Sequence, residues 1–273
     1  KFTLAEMAGR FYGETAPKSA SVIIPLAWTG IVAAQIVAAA KILFSIFEFP
    51  YEYGVIVSGI VFIGYTLLGG QMSILKTDLY QAIIILAGIT ICALFITMKP
   101  EIHLQPVGRS FPFNQAFKPF DLLILVLGPD VYSRVFCARD EATARNSVIL
   151  AASVLIPFAF VLTYLGVTDA ENLPADELKG SVALIELIDY YLPDWTVGLM
   201  AAALLSAVLS SADTTILSAA IILSELTKKD IDNRKSLNLT RVFIGLTGLI
   251  SMLIAIKITS IIGMLLLALA VYS

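Results

Sequence analysis

A group of polar side chains interrupts a long apolar stretch in the second half of the chain, at residues 210–215 (SSADTT). Buried polar groups without partners cost roughly several kcal/mol each, so a run of them at membrane depth needs a physical reason. Oxygen atoms that face the interior of a helical bundle can bind a hard cation such as sodium. The segment therefore indicates an ion site.

The spacing of these residues defines the predicted site more closely. On a helix, Ala207, Ser210, Ser211 and Thr214 share one face, at offsets of three, four and seven. Close helix packing is the alternative interpretation, because small residues let membrane helices approach and hydroxyls bond back to helix carbonyls. Asp213 favours the ion site, because a carboxylate here is costly unless it is paired, hydrated or near a cation.

A second motif consists of residues 65–70 (YTLLGG) followed by residues 76–81 (KTDLYQ). The glycine pair ends one apolar stretch and allows a tight turn. Thr77 or Asp78 is predicted to cap the helix that follows, since an acid near a helix N-terminus is favourable. Asp78 is also a candidate cation ligand facing the bundle interior, and the two roles are compatible.

A third motif, Gly128-Pro129-Asp130, lies inside an apolar stretch and is followed by Arg134. Proline removes a backbone donor and clashes with the preceding turn, so it predicts a bent or broken helix. Broken helices in transporters expose backbone groups to the substrate near the midplane of the membrane. A simple proline kink is the alternative.

The composition predicts an all-α polytopic membrane protein. Hydrophobic residues make up 58% of the 273 residues and charged residues 14%, and the mean hydropathy is +0.89, whereas soluble domains carry roughly 25% charge. The net charge of −3 does not suggest a nucleic-acid partner. The apolar stretches predict spans at about residues 20–47, 53–69, 77–98, 119–136, 146–168, 195–225, 240–257 and from 261 onward.

The charges between these spans predict the topology. Basic residues precede the first span and follow the second, fourth and sixth, which places residue 1 on the cytoplasmic side. The basic residues of loop 99–118 run against this pattern. Loop 169–194 is acidic and is predicted to be extracellular, with a short amphipathic helix carrying Val182, Leu184, Ile185 and Ile188. A role for that helix as a lid over the extracellular mouth and an ordinary surface helix are both open.

Together these motifs resemble those of the sodium:solute symporter family, which includes bacterial sodium/proline, sodium/galactose and sodium/sialic acid transporters. Lys76 replaces the tryptophan of one family signature. The matching segments are 3–13 (TLAEMAGRFYG) with "TLxEFLxxRYG", 65–70 and 77–81 with "YTxxGG…WTDxxQ", 128–134 (GPDVYSR) with "GQPxxxQR", and 210–213 (SSAD) with "STADS".

The resemblance implies the leucine-transporter fold of two inverted five-helix repeats, here without the first two core helices. It implies a sodium site in which Ser210 and Ser211 supply hydroxyl oxygens and Ala207 a backbone carbonyl, completed by a broken first helix. The chain begins without methionine and stops inside an apolar stretch. We therefore expect residues 1–273 to be a single transmembrane fragment of a larger protein, with about seven complete spans.

Some members of the family hold a second sodium ion, and the matching positions here are Asp78, Ser210, Asp213 and Thr214. Asp213 stands where those members carry a serine, so this second site departs from the family pattern.

The predicted function is secondary active transport without covalent chemistry, not an enzymatic reaction. Sodium would drive a small organic solute, such as proline, a sugar or a carboxylate, across the cytoplasmic membrane by alternating access. The expected partners are sodium, the solute and the lipid bilayer. The alternatives are a transporter-like sensor module of a histidine kinase and a truncated, non-transporting protein.

Overall fold

The fold is known from a computed structural model that describes residues 9–13, 15–99, 128–135, 137–172, 183–226 and 233–272. Every regular element in these ranges is helical. The elements are α1 (Ala16–Phe47), α2 (Tyr51–Thr97), α3 (Pro129–Val135), α4 (Glu141–Asn172), α5 (Ala183–Tyr191), α6 (Asp194–Leu226), α7 (Asn233–Lys257) and α8 (Ile261–Tyr272).

The lengths of these helices suit a bilayer. A hydrocarbon core needs about 20 apolar residues in a helix, and α1, both halves of α2, α4, α6 and α7 are long and apolar enough to cross it. Large apolar side chains such as Leu68, Phe160 and Val242 are exposed on the outside, as expected where the surrounding solvent is lipid. The predicted class, an all-α polytopic membrane protein, is confirmed. Residues 119–127 of the predicted fourth span lie outside the described residues, so the total number of spans remains a prediction.

The bend in α2 lies at Gly70, which separates the halves Tyr51–Gly70 and Ser73–Thr97. Its dihedral angles, φ 61° and ψ 172°, lie in a region that essentially only glycine adopts. Across the bend, the Tyr65 hydroxyl donates a hydrogen bond to Thr77 Oγ1.

The predicted cap at Thr77 or Asp78 is wrong, because the second half of α2 begins earlier than the sequence suggested. Thr77 lies one turn inside it and its hydroxyl bonds back to the carbonyls of Ser73 and Ile74. Asp78 therefore occupies a position inside the helix and not at its N-terminus, which leaves its carboxylate available to neighbouring helices.

The centre of the bundle is α6, which packs against α1, α2, α3, α5 and α7. The same helix carries buried apolar residues and the polar segment 210–215. Helices α1, α2 and α7 are joined by side-chain to backbone bonds: Tyr51 Oη donates to the Ala255 carbonyl at 2.8 Å, and Ser251 Oγ donates to the Thr29 carbonyl at 2.9 Å. These contacts fix the helices that surround the polar segment.

Helix α5 lies in the segment for which an amphipathic helix was predicted. Ile185, Leu187 and Ile188 are buried and Asp189 and Tyr190 are exposed, and the helix packs against α4 and α6. Val182 lies outside the described residues. The extracellular position of this helix remains a prediction.

Close packing of α1 against α2 gives a test of the fold. A Cβ added at Gly54 would lie 3.1 Å from Ala40 Cα and 3.2 Å from its carbonyl oxygen, whereas at Gly64 it would meet nothing within 4 Å. We expect Gly54→Leu to lower the free energy of unfolding by about 1–3 kcal/mol through overpacking. Thermal melting in detergent measures this, with Gly64→Leu as the matched control. Equal melting temperatures for the two variants would contradict the close approach.

Candidate functional site

Asp78 joins three helices. Ser210 Oγ on α6 donates to Asp78 Oδ1 at 2.7 Å, and Arg134 Nη2 on α3 donates to Asp78 Oδ2 at 2.9 Å. The Asp78 side chain is only 12% exposed. Because the site is shielded by protein, hydrogen bonds to this carboxylate are stronger than they would be in water.

Arg134 makes a second contact from the same nitrogen. Its Nη2 also lies 2.9 Å from Thr214 Oγ1. The Thr214 hydroxyl in turn lies 3.1 Å from the Ser210 carbonyl oxygen and 3.3 Å from Asp213 Oδ1. One guanidinium nitrogen thus connects two side chains that lie on different helices.

The position of Arg134 follows from the start of α3. The helix begins at Pro129, whose fixed φ suits a first helical position. The amides of Val131 and Tyr132 donate to the Gly128 carbonyl at 3.1 and 3.5 Å. A helix therefore starts at this motif, and Arg134 lies in its last turn. The predicted break in a longer helix stays a prediction, because residues 119–127 lie outside the described residues.

Asp213 is the most deeply placed charged group of the site. Its side chain is fully buried, and its Oδ2 atom has no hydrogen-bond partner among the described residues. The guanidinium of Arg134 contacts Asp78 directly, and it is linked to Asp213 only through the Thr214 hydroxyl. A buried carboxylate is costly unless a cation or a proton compensates it, so this cluster favours one further positive charge.

Two cavities adjoin the cluster. The larger is about 360 Å³ and is lined from α1, α3, α6 and α8 by residues that include Trp28, Gln35, Ser211 and Tyr272. The smaller is about 30 Å³ and includes Asp78 in its wall. Ser210 lines the larger cavity, and Arg134 and Thr214 line both. The charged cluster thus lies between the two spaces.

The structure brings together most of the residues that the sequence indicated. Asp78, Ser210, Asp213 and Thr214 form one connected hydrogen-bond network, and the exposed Ser211 lies in the wall of the larger cavity.

Ala207 is half-buried one turn before Ser210 and lines neither of the two cavities. Gly128 directly precedes α3, and Pro129 and Asp130 are its first two residues.

The back-bonding of hydroxyls to helix carbonyls, which is part of the close-packing interpretation, is seen at Thr214 and also at Thr215 outside the predicted face. Thr214 and Thr215 hydroxyls donate to the carbonyls one turn earlier, at 3.1 and 2.5 Å. Ser210 differs, because its hydroxyl reaches Asp78 on another helix.

Arg134 was not among the predicted site residues, although the signal was present. It ends the GPDVYSR segment that resembles a family motif, but the sequence interpretation counted it only as a positive charge near a cytoplasmic loop.

These features define a class of protein: a multi-pass helical membrane protein with a charged polar cluster, which includes a fully buried carboxyl group, beside a cavity. The family model described as "Sodium:solute symporter family" matches residues 1–101 and 107–273. The chain therefore belongs to the sodium:solute symporter family, and the resemblance inferred from its motifs is confirmed.

Two curated relatives agree with this family. The chain is 24% identical over 187 residues to the uncharacterized symporter YwcA of Bacillus subtilis, covering 61% of this chain and 36% of the relative. It is 28% identical over 244 residues to high-affinity choline transporter 1 of Drosophila melanogaster, covering 80% of this chain and 40% of the relative. The matches thus span less than half the length of these relatives.

The contact between Ser210 and Asp78 predicts a difference between two neighbouring serines. Ser210→Ala removes a hydrogen bond to a carboxylate and should lower the free energy of unfolding in sodium-free buffer by about 1.5–3 kcal/mol. Ser211→Ala is the matched control, because Ser211 is exposed on the cavity wall. Thermal melting of both variants in detergent checks this, and equal destabilisation would contradict the assigned bond.

Proposed function

We propose that the protein to which this chain belongs is a secondary active transporter that couples sodium to the movement of a small organic solute. The observation that carries the proposal is the row of oxygens on α6. Ser210 and Ser211 line the larger cavity, and the buried carboxylates of Asp78 and Asp213 lie behind them. Hydroxyl, carbonyl and carboxylate oxygens are the ligands that hard cations prefer.

The first sodium ion is assigned to Ser210, Ser211 and the Ala207 carbonyl. A second cation position is assigned to Asp78, Asp213 and Thr214, with Ser210 shared between the two. The fully buried Asp213 carboxyl, with one oxygen lacking a partner among the described residues, supports a cation at this second position.

Coupling follows from the helices that the cluster connects. A cation that binds α6 oxygens and Asp78 stabilises the arrangement of α2, α3 and α6 in which those groups converge. A ligand shifts a conformational equilibrium only by its difference in affinity between the states. Sodium therefore favours the state in which the oxygens are assembled, and the solute in turn gains affinity by the same factor.

The solute is proposed to enter the larger cavity, whose volume of about 360 Å³ is typical of small-molecule sites. The rings of Trp28 and Tyr272 meet edge to face in its wall, with centroids 5.0 Å apart, and Gln35 supplies an amide. The segment Gly128–Asp130 is proposed to contribute to the substrate pathway. The candidate solutes are an amino acid such as proline, a sugar and a small carboxylate. Choline is a further candidate because one relative is named a choline transporter.

The protein is proposed to lie in the cytoplasmic membrane with residue 1 on the cytoplasmic side, as the distribution of basic residues favours.

Sodium binding is tested by thermal melting in sodium chloride against N-methylglucamine chloride at equal ionic strength. Choline is unsuitable as the reference cation because it is itself a candidate solute. Sodium at one hundred times its Kd should raise the free energy of unfolding by about 2.7 kcal/mol. Ser211→Ala should lose much of this gain. A melting temperature that does not depend on sodium in the whole protein to which this chain belongs would reject the proposal.

The solute is tested in the same assay. Proline, choline, galactose and sialic acid are added separately in sodium and in N-methylglucamine. A coupled solute should raise the melting temperature more in sodium than in N-methylglucamine, because the two ligands favour the same state. Equal shifts in both salts would argue for binding without coupling.

A further inference from the structure

The position of Arg134 carries an inference that rests on the proposed function. Its Nη2 lies 2.9 Å from Asp78 Oδ2 and 2.9 Å from Thr214 Oγ1, so it contacts two of the groups assigned to the second cation. We propose that the guanidinium of Arg134 is a tethered cation that occupies the second cation position and competes there with free sodium.

Arg134 and a sodium ion compete because of their charge. A guanidinium and a sodium ion carry the same single positive charge, and both are attracted by oxygen atoms. A sodium ion bound between Asp78 and Thr214 would lie against the guanidinium, and like charges this close repel strongly in a shielded site. The two cations therefore exclude each other from this position.

The carboxyl oxygens of Asp78 and Asp213 differ in their hydrogen bonding. In the structure both Asp78 oxygens are engaged, one by Ser210 and one by Arg134. Asp213 remains fully buried with Oδ2 lacking a partner among the described residues. The cluster therefore contains two carboxyl groups and one guanidinium, and removal of Arg134 leaves both carboxyl groups without a cationic side chain at Asp78 Oδ2.

The smaller cavity provides space beside the cluster. Arg134 and Thr214 line both cavities, and the smaller cavity of about 30 Å³ adjoins Asp78, which is enough room for a water-sized occupant. Truncation of Arg134 would join its volume to this space, beside oxygens of Asp78 and Thr214.

The guanidinium of Arg134 is more accessible than the carboxylate that it contacts. Arg134 comes from the short helix α3, and its side chain is 47% exposed, against 12% for Asp78. The guanidinium lies at the border between cluster and cavity, so it can leave the carboxylate without unpacking a core. Arginine is also always charged, which makes the competition insensitive to protonation of this group.

The test counts bound sodium with radioactive sodium at equilibrium, using the whole protein to which this chain belongs, purified in detergent. The unaltered protein should bind one sodium ion per chain. Arg134→Gln, which keeps a polar side chain but is shorter and uncharged, should bind two. Arg134→Lys keeps a tethered cation and should remain at one. Arg139→Gln, which removes an exposed charge five residues away, is the matched control and should also remain at one.

The additional sodium should depend on Asp78. The double variant Asp78→Asn with Arg134→Gln should return to one bound ion, because the carboxylate that receives the second cation is gone. A count that stays at one in Arg134→Gln overturns the tethered-cation proposal and leaves sodium binding itself intact. No sodium bound to the unaltered protein, with one bound to Arg134→Gln, would instead reject the proposed function and retain the competition.

A second measurement covers the case in which Arg134→Gln does not fold. In Arg134→Ala, added methylguanidinium supplies the missing group from solution. It should raise the melting temperature, and sodium should reduce that shift by competing for the same place. A methylguanidinium effect that is the same in Arg139→Ala, or that sodium does not reduce, overturns the proposal.

Discussion

The carboxylate of Asp78 is the group on which the arrangement of the site depends. It accepts from Ser210 on α6 and from Arg134 on α3 while belonging to α2, so one side chain fixes the relative positions of three helices. In a lipid environment helices gain little from apolar association, because lipid tails are as apolar as leucine. Hydrogen bonds to a shielded charge therefore join α2, α3 and α6, in addition to the close van der Waals packing between the helices of the bundle.

The central helix α6 combines two requirements that usually conflict. It must fill the interior of the bundle, and it must present oxygens to a cavity. The conflict is resolved by small side chains. The hydroxyls of Thr214 and Thr215 donate to carbonyls of their own helix. Ser210 donates to Asp78 on α2, and Thr214 accepts from Arg134 on α3. The polar cluster is thus embedded without disturbing the helix that carries it.

Much of the fold could be predicted, because long apolar stretches in a bilayer have no alternative to helices. The site was predicted in part. The spacing of Ser210 and Thr214 identified one polar face, but spacing along one helix does not reveal which group on another helix meets it. Arg134 was overlooked for that reason. The cap at Asp78 was misplaced because a polar residue after a glycine pair suggests a helix start, whereas the helix begins as soon as the Gly70 bend is complete.

The hydroxyl bond from Tyr65 to Thr77 has a mechanical consequence. This bond spans the bend at Gly70 and links the two halves of α2. Asp78 directly follows Thr77, where the bond is attached. A change in the angle between the two halves of α2 therefore displaces the Asp78 carboxylate. A ligand that displaces the carboxylate in turn acts on the bend at Gly70. The bend at Gly70 and the carboxylate of Asp78 are therefore mechanically coupled.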